Sequence, residues 1–218
     1  MEQPYISEAL IELSRIFHLL NDKYFEGKLQ DPVLTIQSTK KKILGWCTLK
    51  KVWKPTIKET TIETSKLKSR YEINICAQHL VSPPELLAET VLHEMIHLSN
   101  IMNDISDCTN AYYHNKRFKK AAEKIGLICE KDKKYGYGLT SLSEDLKKYI
   151  IEEIKVNADV FKYFREIELT KSSGGSDTRK KRIFKYTCPK CGLEAKGKLN
   201  IHVVCKSCNE ELKMEEES

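Results

Sequence analysis

The sequence predicts an α+β protein in which a small β-sheet packs on helices, followed by a short module held together by cysteines. Two observations point to the first part. Stretches with apolar residues at helical spacing flank a segment of short strand-like runs, and the five residues His93-Glu94-Met95-Ile96-His97 fall in the middle of one helical stretch. A third points to the second part: Cys188-Pro189-Lys190-Cys191 and Cys205-Lys206-Ser207-Cys208 are separated by thirteen residues and follow a Gly/Ser-rich stretch at Lys171-Ser172-Ser173-Gly174-Gly175-Ser176-Asp177. The expected domains are residues 1–170, a flexible basic linker at 171–183, and the cysteine module at 184–214.

The first helix is expected over Ser7–Tyr24, where Leu10, Leu13, Phe17 and Leu20 form an apolar stripe that ends near Gly27. Three strands follow, Val33–Ser38, Ile43–Val52 and Tyr71–Cys76, with turn residues around Thr60–Ser69. Ser82-Pro83-Pro84-Glu85 then offers an N-cap serine, a proline at the first helical position and a capping glutamate. From Glu85 to about Ile101 there is no Gly or Pro, and Leu87, Val91, Ile96, Leu98 and Ile101 supply an apolar surface for burial. A polar loop over Asn103–Asn110 leads to a helix over His114–Ile125, with Phe118, Ala121, Ala122 and Ile125 on one side and Gly126 as its stop. Leu142–Ile167 reads as a further packing helix, striped by Leu146, Ile150, Ile151 and Ile154.

Residues at i and i+4 share a helix face, so the imidazoles of His93 and His97 can converge on one Zn²⁺. Glu94 lies about 100° further round, within reach of a water on the metal without being a ligand. A hydrolytic site needs a third protein ligand and an open fourth position. Asn100 and Asn103 stand where a metzincin would place Gly and His. The downstream candidates are Asp104, Asp107, His114 and Glu123, of which His114 is the best placed and Glu123 the alternative. Tyr112, Tyr113, Tyr135 and Tyr137 are near enough in sequence to serve an oxyanion, and none is assigned.

The spacing C-x₂-C-x₁₃-C-x₂-C closes a tetrahedral four-thiolate site with no room for water, which makes the metal there structural. The expected cofactors are therefore two Zn²⁺ ions, one catalytic and one structural. The other four of the eight cysteines, Cys47, Cys76, Cys108 and Cys129, read as core thiols. No apolar stretch approaches a membrane span, and the residues after Met1 lack a signal-peptide pattern, so the expectation is a soluble cytoplasmic protein with no membrane partner.

The net charge of +6 is concentrated at one end: Arg179 to Cys208 holds nine basic residues against Glu194 alone. A second basic stretch runs from Lys40 to Arg70, with ten Lys or Arg against Glu59 and Glu63. Both suit a polyanion, and Tyr186 and His202 are candidates to stack on bases. Nucleic acid, reached through the C-terminal module, is the expected partner beside a protein substrate.

Taken in order, several segments resemble the SprT-like (Spartan-related) zinc metalloprotease family, and among its members the bacterial-type ones that end in a zinc ribbon. They are Phe17-His18-Leu19-Leu20-Asn21-Asp22-Lys23-Tyr24-Phe25 with Gly27 and Leu29, then Leu44-Gly45-Trp46-Cys47, Leu92-His93-Glu94-Met95-Ile96-His97, His114 with Phe118, and Tyr186 to Cys208. The resemblance implies a zincin-like metalloprotease domain with His93, His97 and His114 as ligands and Glu94 as the catalytic acid–base. It also implies DNA-bound or DNA-crosslinked proteins as substrates and DNA-protein crosslink repair as the setting. Asn115 follows the third histidine where the family commonly has glycine, a mild change if the position is left-handed. Two other functions compete: a zinc amidase with a small substrate, using Cys76 as third ligand, and a non-proteolytic zinc-ribbon adaptor that binds nucleic acid.

Overall fold

The structure, a computed structural model, describes residues 5–39, 42–56, 67–110, 112–166, 184–197 and 202–214. The chain divides into two compact units, Met1–Ile167 and Glu168–Ser218. The expected linker at 171–183 and the turn residues at 60–66 lie outside the described residues.

The first unit is mixed α and β. Helix α1, Ile6–Phe25, buries Ala9, Leu13, Ile16, Phe17 and Leu20, and stops at Glu26, which takes the left-handed conformation (φ 57°). Strands β1 (Val33–Gln37), β2 (Gly45–Cys47) and β3 (Glu72–Cys76) form a sheet in the order β1-β3-β2, with β1 parallel and β2 antiparallel to β3. Every residue of β3 is buried. Ile73 and Ile75 join the core on one face. On the alternate positions, Glu72 accepts hydrogen bonds from Trp53 Nε1 (2.8 Å) and Gln37 Nε2 (3.1 Å), and the Asn74 side-chain oxygen accepts from the Gln37 backbone N–H (2.7 Å). Strand β2 is shorter than the expected Ile43–Val52. The Thr48 hydroxyl accepts from the Glu72 N–H and donates to the Lys50 carbonyl, which turns the chain out of the ladder; among the described residues pairing recurs at the Trp53–Arg70 bridge.

Helix α2, Pro84–Met102, begins one residue later than the capping pattern predicts. A residue before proline is excluded from the helical region, so Pro83 stays extended (ψ 142°) and is itself the cap, while Pro84 takes the first helical position. Ser82 and Glu85 do not form the expected capping box. Beyond α2, β4 (Cys108–Thr109) and β5 (Tyr113–His114) pair antiparallel, and α3 (Lys116–Lys124) follows. His114 is thus in a short strand before the helix and not its first residue. Asn115 is not left-handed either: it is extended (φ −92°, ψ −175°) and caps α3 by accepting the Arg117 N–H at 2.7 Å.

An unanticipated hairpin, β6 (Leu127–Asp132) and β7 (Gly136–Leu142), completes a sheet in the order β4-β5-β7-β6. Its turn is built by Asp132, whose side chain accepts from the N–H groups of Lys134 and Tyr135 at 2.7 Å each. The expected helix over Leu142–Ile167 is shorter. Ser143 caps α4 (Glu144–Tyr149), which runs on as a π-helical turn over Ile150–Ile154 and ends where Lys155 becomes left-handed. Leu146, Ile150 and Ile154 are buried, whereas Ile151 faces solvent, because the wider turn moves it off the stripe. Arg15 of α1 holds this segment by donating to the Ile154 carbonyl (2.9 Å), and Glu12 accepts from the Asn157 N–H (2.8 Å).

In the second unit, β8 (Phe184–Thr187) pairs with β9 (Glu194–Gly197) and β12 (Lys213–Met214), and β10 (Val204–Cys205) pairs with β11 (Glu210–Glu211). Tyr186, Leu212, Cys188 and Cys205 make up its small core. Tyr186 is 3 % exposed, so it packs inside the module and is not available to stack on bases. Among the described residues no helix is long and apolar enough to cross a membrane.

Candidate metal centre

Helix α2 carries His93, Glu94 and His97, and β5 brings His114 to them. Nε2 of His114 lies 3.1 Å from Nε2 of His93 and 3.1 Å from Nε2 of His97. Each ring is held from behind through Nδ1. For His97 the partner is an Asp107 carboxylate oxygen (2.8 Å), for His114 the Tyr135 carbonyl (3.2 Å), and for His93 the Thr140 hydroxyl (3.3 Å). Carboxylates and carbonyls only accept, so His97 and His114 carry their proton on Nδ1 and present a bare Nε2 lone pair. The Thr140 hydroxyl donates its own proton to Glu89 (2.8 Å), which leaves it only an acceptor toward His93. Lone pairs of His93 and His97 therefore both face His114 Nε2 at 3.1 Å, an arrangement that neutral imidazoles adopt comfortably only around a cation. Nitrogens on a tetrahedral zinc at about 2.0–2.1 Å are roughly 3.3 Å apart, which these rings match closely.

Burial and the neighbouring imidazoles hold His93 well below the usual histidine range, and burial lowers His114 to about 4, so both rings are neutral at ordinary pH, the form a metal ligand needs. Burial works to lower His97 as well, but its Asp107 hydrogen bond and the nearby charges of Glu94 and Asp107 raise it. All three rings rest on Phe118, which is fully buried, with ring centroids 4.7 Å from His93, 4.8 Å from His97 and 4.5 Å from His114. Gly138 of β7 lies flat against His114: a Cβ there would meet Nδ1 at 2.4 Å, so no larger residue leaves the ring in place.

Glu94 is 5 % exposed, and burial pushes its carboxyl up to about 7 against the pull of His97 and the Cys47 backbone N–H. Strand β2 passes directly over it. A Cβ on Gly45 would meet the Asn74 carbonyl at 2.7 Å and the Glu94 carboxylate at 3.3 Å, so glycine allows that approach. The three histidines and Glu94 lie in the wall of a cleft of about 810 Å³, bordered by β2 and by Glu89, Tyr112, Tyr135 and Thr140.

The other ligand candidates are elsewhere. Asp104 is exposed, and Glu123 points to solvent, 3.4 Å from Lys119. Asp107, weighed as a ligand, instead holds His97 and accepts from Asn100 (2.9 Å). Cys108 lies close to His97 and Asp107, but burial raises its thiol to about 12, and the protonated sulfur bonds Asp107. Cys76, the ligand required by the amidase reading, is buried in β3 and does not join the histidine group. Thr140, Glu89 and Gly138 carried no signal in the sequence, because the strand that brings two of them in was not anticipated.

The SprT-like family model matches residues 13–136, more than half of the chain. The chain belongs to the SprT-like family. The SprT-like match contains the three histidines and Glu94 and ends before Gly138, Thr140 and the cysteine module. Among curated proteins none matches the chain.

Outside the SprT-like span, Cys188, Cys191, Cys205 and Cys208 bring their sulfurs within 4.8 Å of one another, an arrangement consistent with a zinc ribbon. Cys191 and Cys205 are 3.6 Å apart, far beyond a disulfide and close to the roughly 3.8 Å edge of a zinc–thiolate tetrahedron. The two pairs sit on similar turns, each followed by a left-handed residue, Gly192 (φ 73°) and Asn209 (φ 52°). The Gly192 N–H bonds the Cys188 carbonyl (2.9 Å), and the Asn209 N–H bonds the Cys205 carbonyl (2.8 Å). A group of this kind suits a metal better than a core of four residues suits folding alone.

Proposed function

We propose that this SprT-like protein is a zinc-dependent endopeptidase that acts on proteins bound or crosslinked to DNA. The observation that carries the reading is the convergence of three imidazole Nε2 atoms in a cleft wall beside a buried glutamate. His93, His97 and His114 would hold the catalytic zinc, and Cys188, Cys191, Cys205 and Cys208 a structural one. When held by these histidines, zinc would supply an acidified water and a Lewis acid for the scissile carbonyl. Glu94 takes the proton of the attacking water and passes it to the leaving amine. Its raised affinity for a proton suits that shuttle, and β2 roofs it from bulk water. Because β2 ends its sheet among the described residues and borders the cleft, an extended polypeptide can lie along it, which favours a protein over a small amide.

Binding of DNA is drawn from charge. Lys185, Lys190, Lys196 and Lys206 of the cysteine module join the basic run of the preceding linker in sequence, so the contact is chiefly to phosphate, and with Tyr186 buried the exposed His202 is the remaining candidate to stack on bases. The test is cleavage of a DNA-binding protein by the zinc-loaded chain with no DNA, single-stranded DNA or duplex. We expect cleavage stimulated by DNA, with the stimulation lost as salt rises. Cleavage indifferent to DNA removes the DNA part alone. Salt-dependent DNA binding without cleavage under any condition replaces the enzyme with the adaptor.

A further inference from the structure

We infer that Thr140 and Glu89 are positioning residues of the histidine site, acting through His93. The inference rests on reading the three histidines as metal ligands and concerns Thr140, which lies beyond the family match that ends at residue 136.

His97 and His114 have partners that can only accept, so their tautomers are determined by direct contact. His93 differs. Its Nδ1 faces a hydroxyl, which can donate or accept, and nothing in that contact alone decides which ring nitrogen holds the proton. Glu89 decides it. Placed one helical turn before His93, its carboxylate takes the single Thr140 proton at 2.8 Å. The threonine oxygen can then only accept from Nδ1–H, and the Nε2 lone pair is left for the metal. Without Glu89, the hydroxyl is free to donate to Nδ1, which moves the ring proton to Nε2 and removes His93 as a ligand. Glu89, Thr140 and His93 thus form a directed chain from carboxylate to hydroxyl to imidazole, and β7 contributes twice, through Thr140 and through the absent side chain of Gly138 beneath His114.

The test uses the full chain and two readouts. The first is affinity of the histidine site for Zn²⁺ by chelator competition, that site being the equivalent lost in His114→Ala. The second is the His93 tautomer in the metal-free protein, from its ring ¹⁵N shifts. Thr140→Val is expected to weaken binding about 10–100-fold, the usual effect of losing such a supporting contact, and to give mixed tautomers. Thr140→Ser is expected to restore both, and the unfolding midpoint of the metal-free Val variant to stay near wild type. Wild-type affinity in Thr140→Val, or no rescue by Ser, overturns the inference. If Thr140→Val does not fold, Glu89→Leu decides by the same readouts, because leucine has no acceptor for the Thr140 proton and so releases the hydroxyl. A wild type without the histidine-site equivalent sinks this inference together with the metal reading. One that binds two equivalents but cleaves no protein overturns the proposed function and leaves this inference to the affinity data.

Discussion

Glu94→Gln is expected to lower the rate of protein cleavage by about 10²–10⁴-fold, the usual contribution of a general acid–base, while leaving zinc content unchanged. Glutamine matches glutamate in shape, and its carbonyl oxygen can still accept the Cys47 N–H, so the close passage of β2 over this side chain survives. What disappears is the group able to hold a proton between the attacking water and the leaving amine. The exchange also removes a carboxyl that burial has pushed up to about 7, so the folded state should be no less stable. Cleavage rate, zinc content and thermal midpoint, measured together, separate this role from a structural one. A Gln variant as active as wild type would remove Glu94 from the chemistry.

Phe118→Ala should give the largest loss of stability. Deleting a fully buried phenylalanine costs about 3–5 kcal/mol, and here the cavity opens under all three imidazoles at once. Loss of the floor lets the rings tilt, so zinc affinity at the histidine site should fall along with folding stability. Urea unfolding of the metal-free protein reads the first effect, and chelator competition the second. Phe118→Leu should lose less on both counts. A variant with unchanged stability would mean that the ring does not support the site as described.

The histidine and cysteine ligand candidates were legible because metal ligation imposes fixed spacings: i and i+4 for His93 and His97, and two C-x₂-C turns for the cysteine module. His114 was singled out by ligand type, although it is placed by a two-residue strand and not a helix start. Local rules failed where two of them compete, as at Ser82-Pro83-Pro84, where the restriction on a residue before proline outweighs serine capping. Asn115 was judged by its tolerance of the left-handed region, when its capping ability was the property used. The β6–β7 hairpin is hard to read because its residues alternate weakly, with Ile128 and Leu139 exposed while Leu127, Cys129 and Leu142 pack against the core. That weak pattern hid every contact β7 makes with the histidines. Tyr186 looked like a stacking residue because burial in so small a module depends on the cysteine turns, which only the folded chain shows.

The most direct test of the account is zinc stoichiometry on purified wild type and His114→Ala. Two equivalents falling to one are predicted, with the remaining zinc held by Cys188, Cys191, Cys205 and Cys208. One equivalent in both proteins would contradict the account, since the three histidines would then hold no metal.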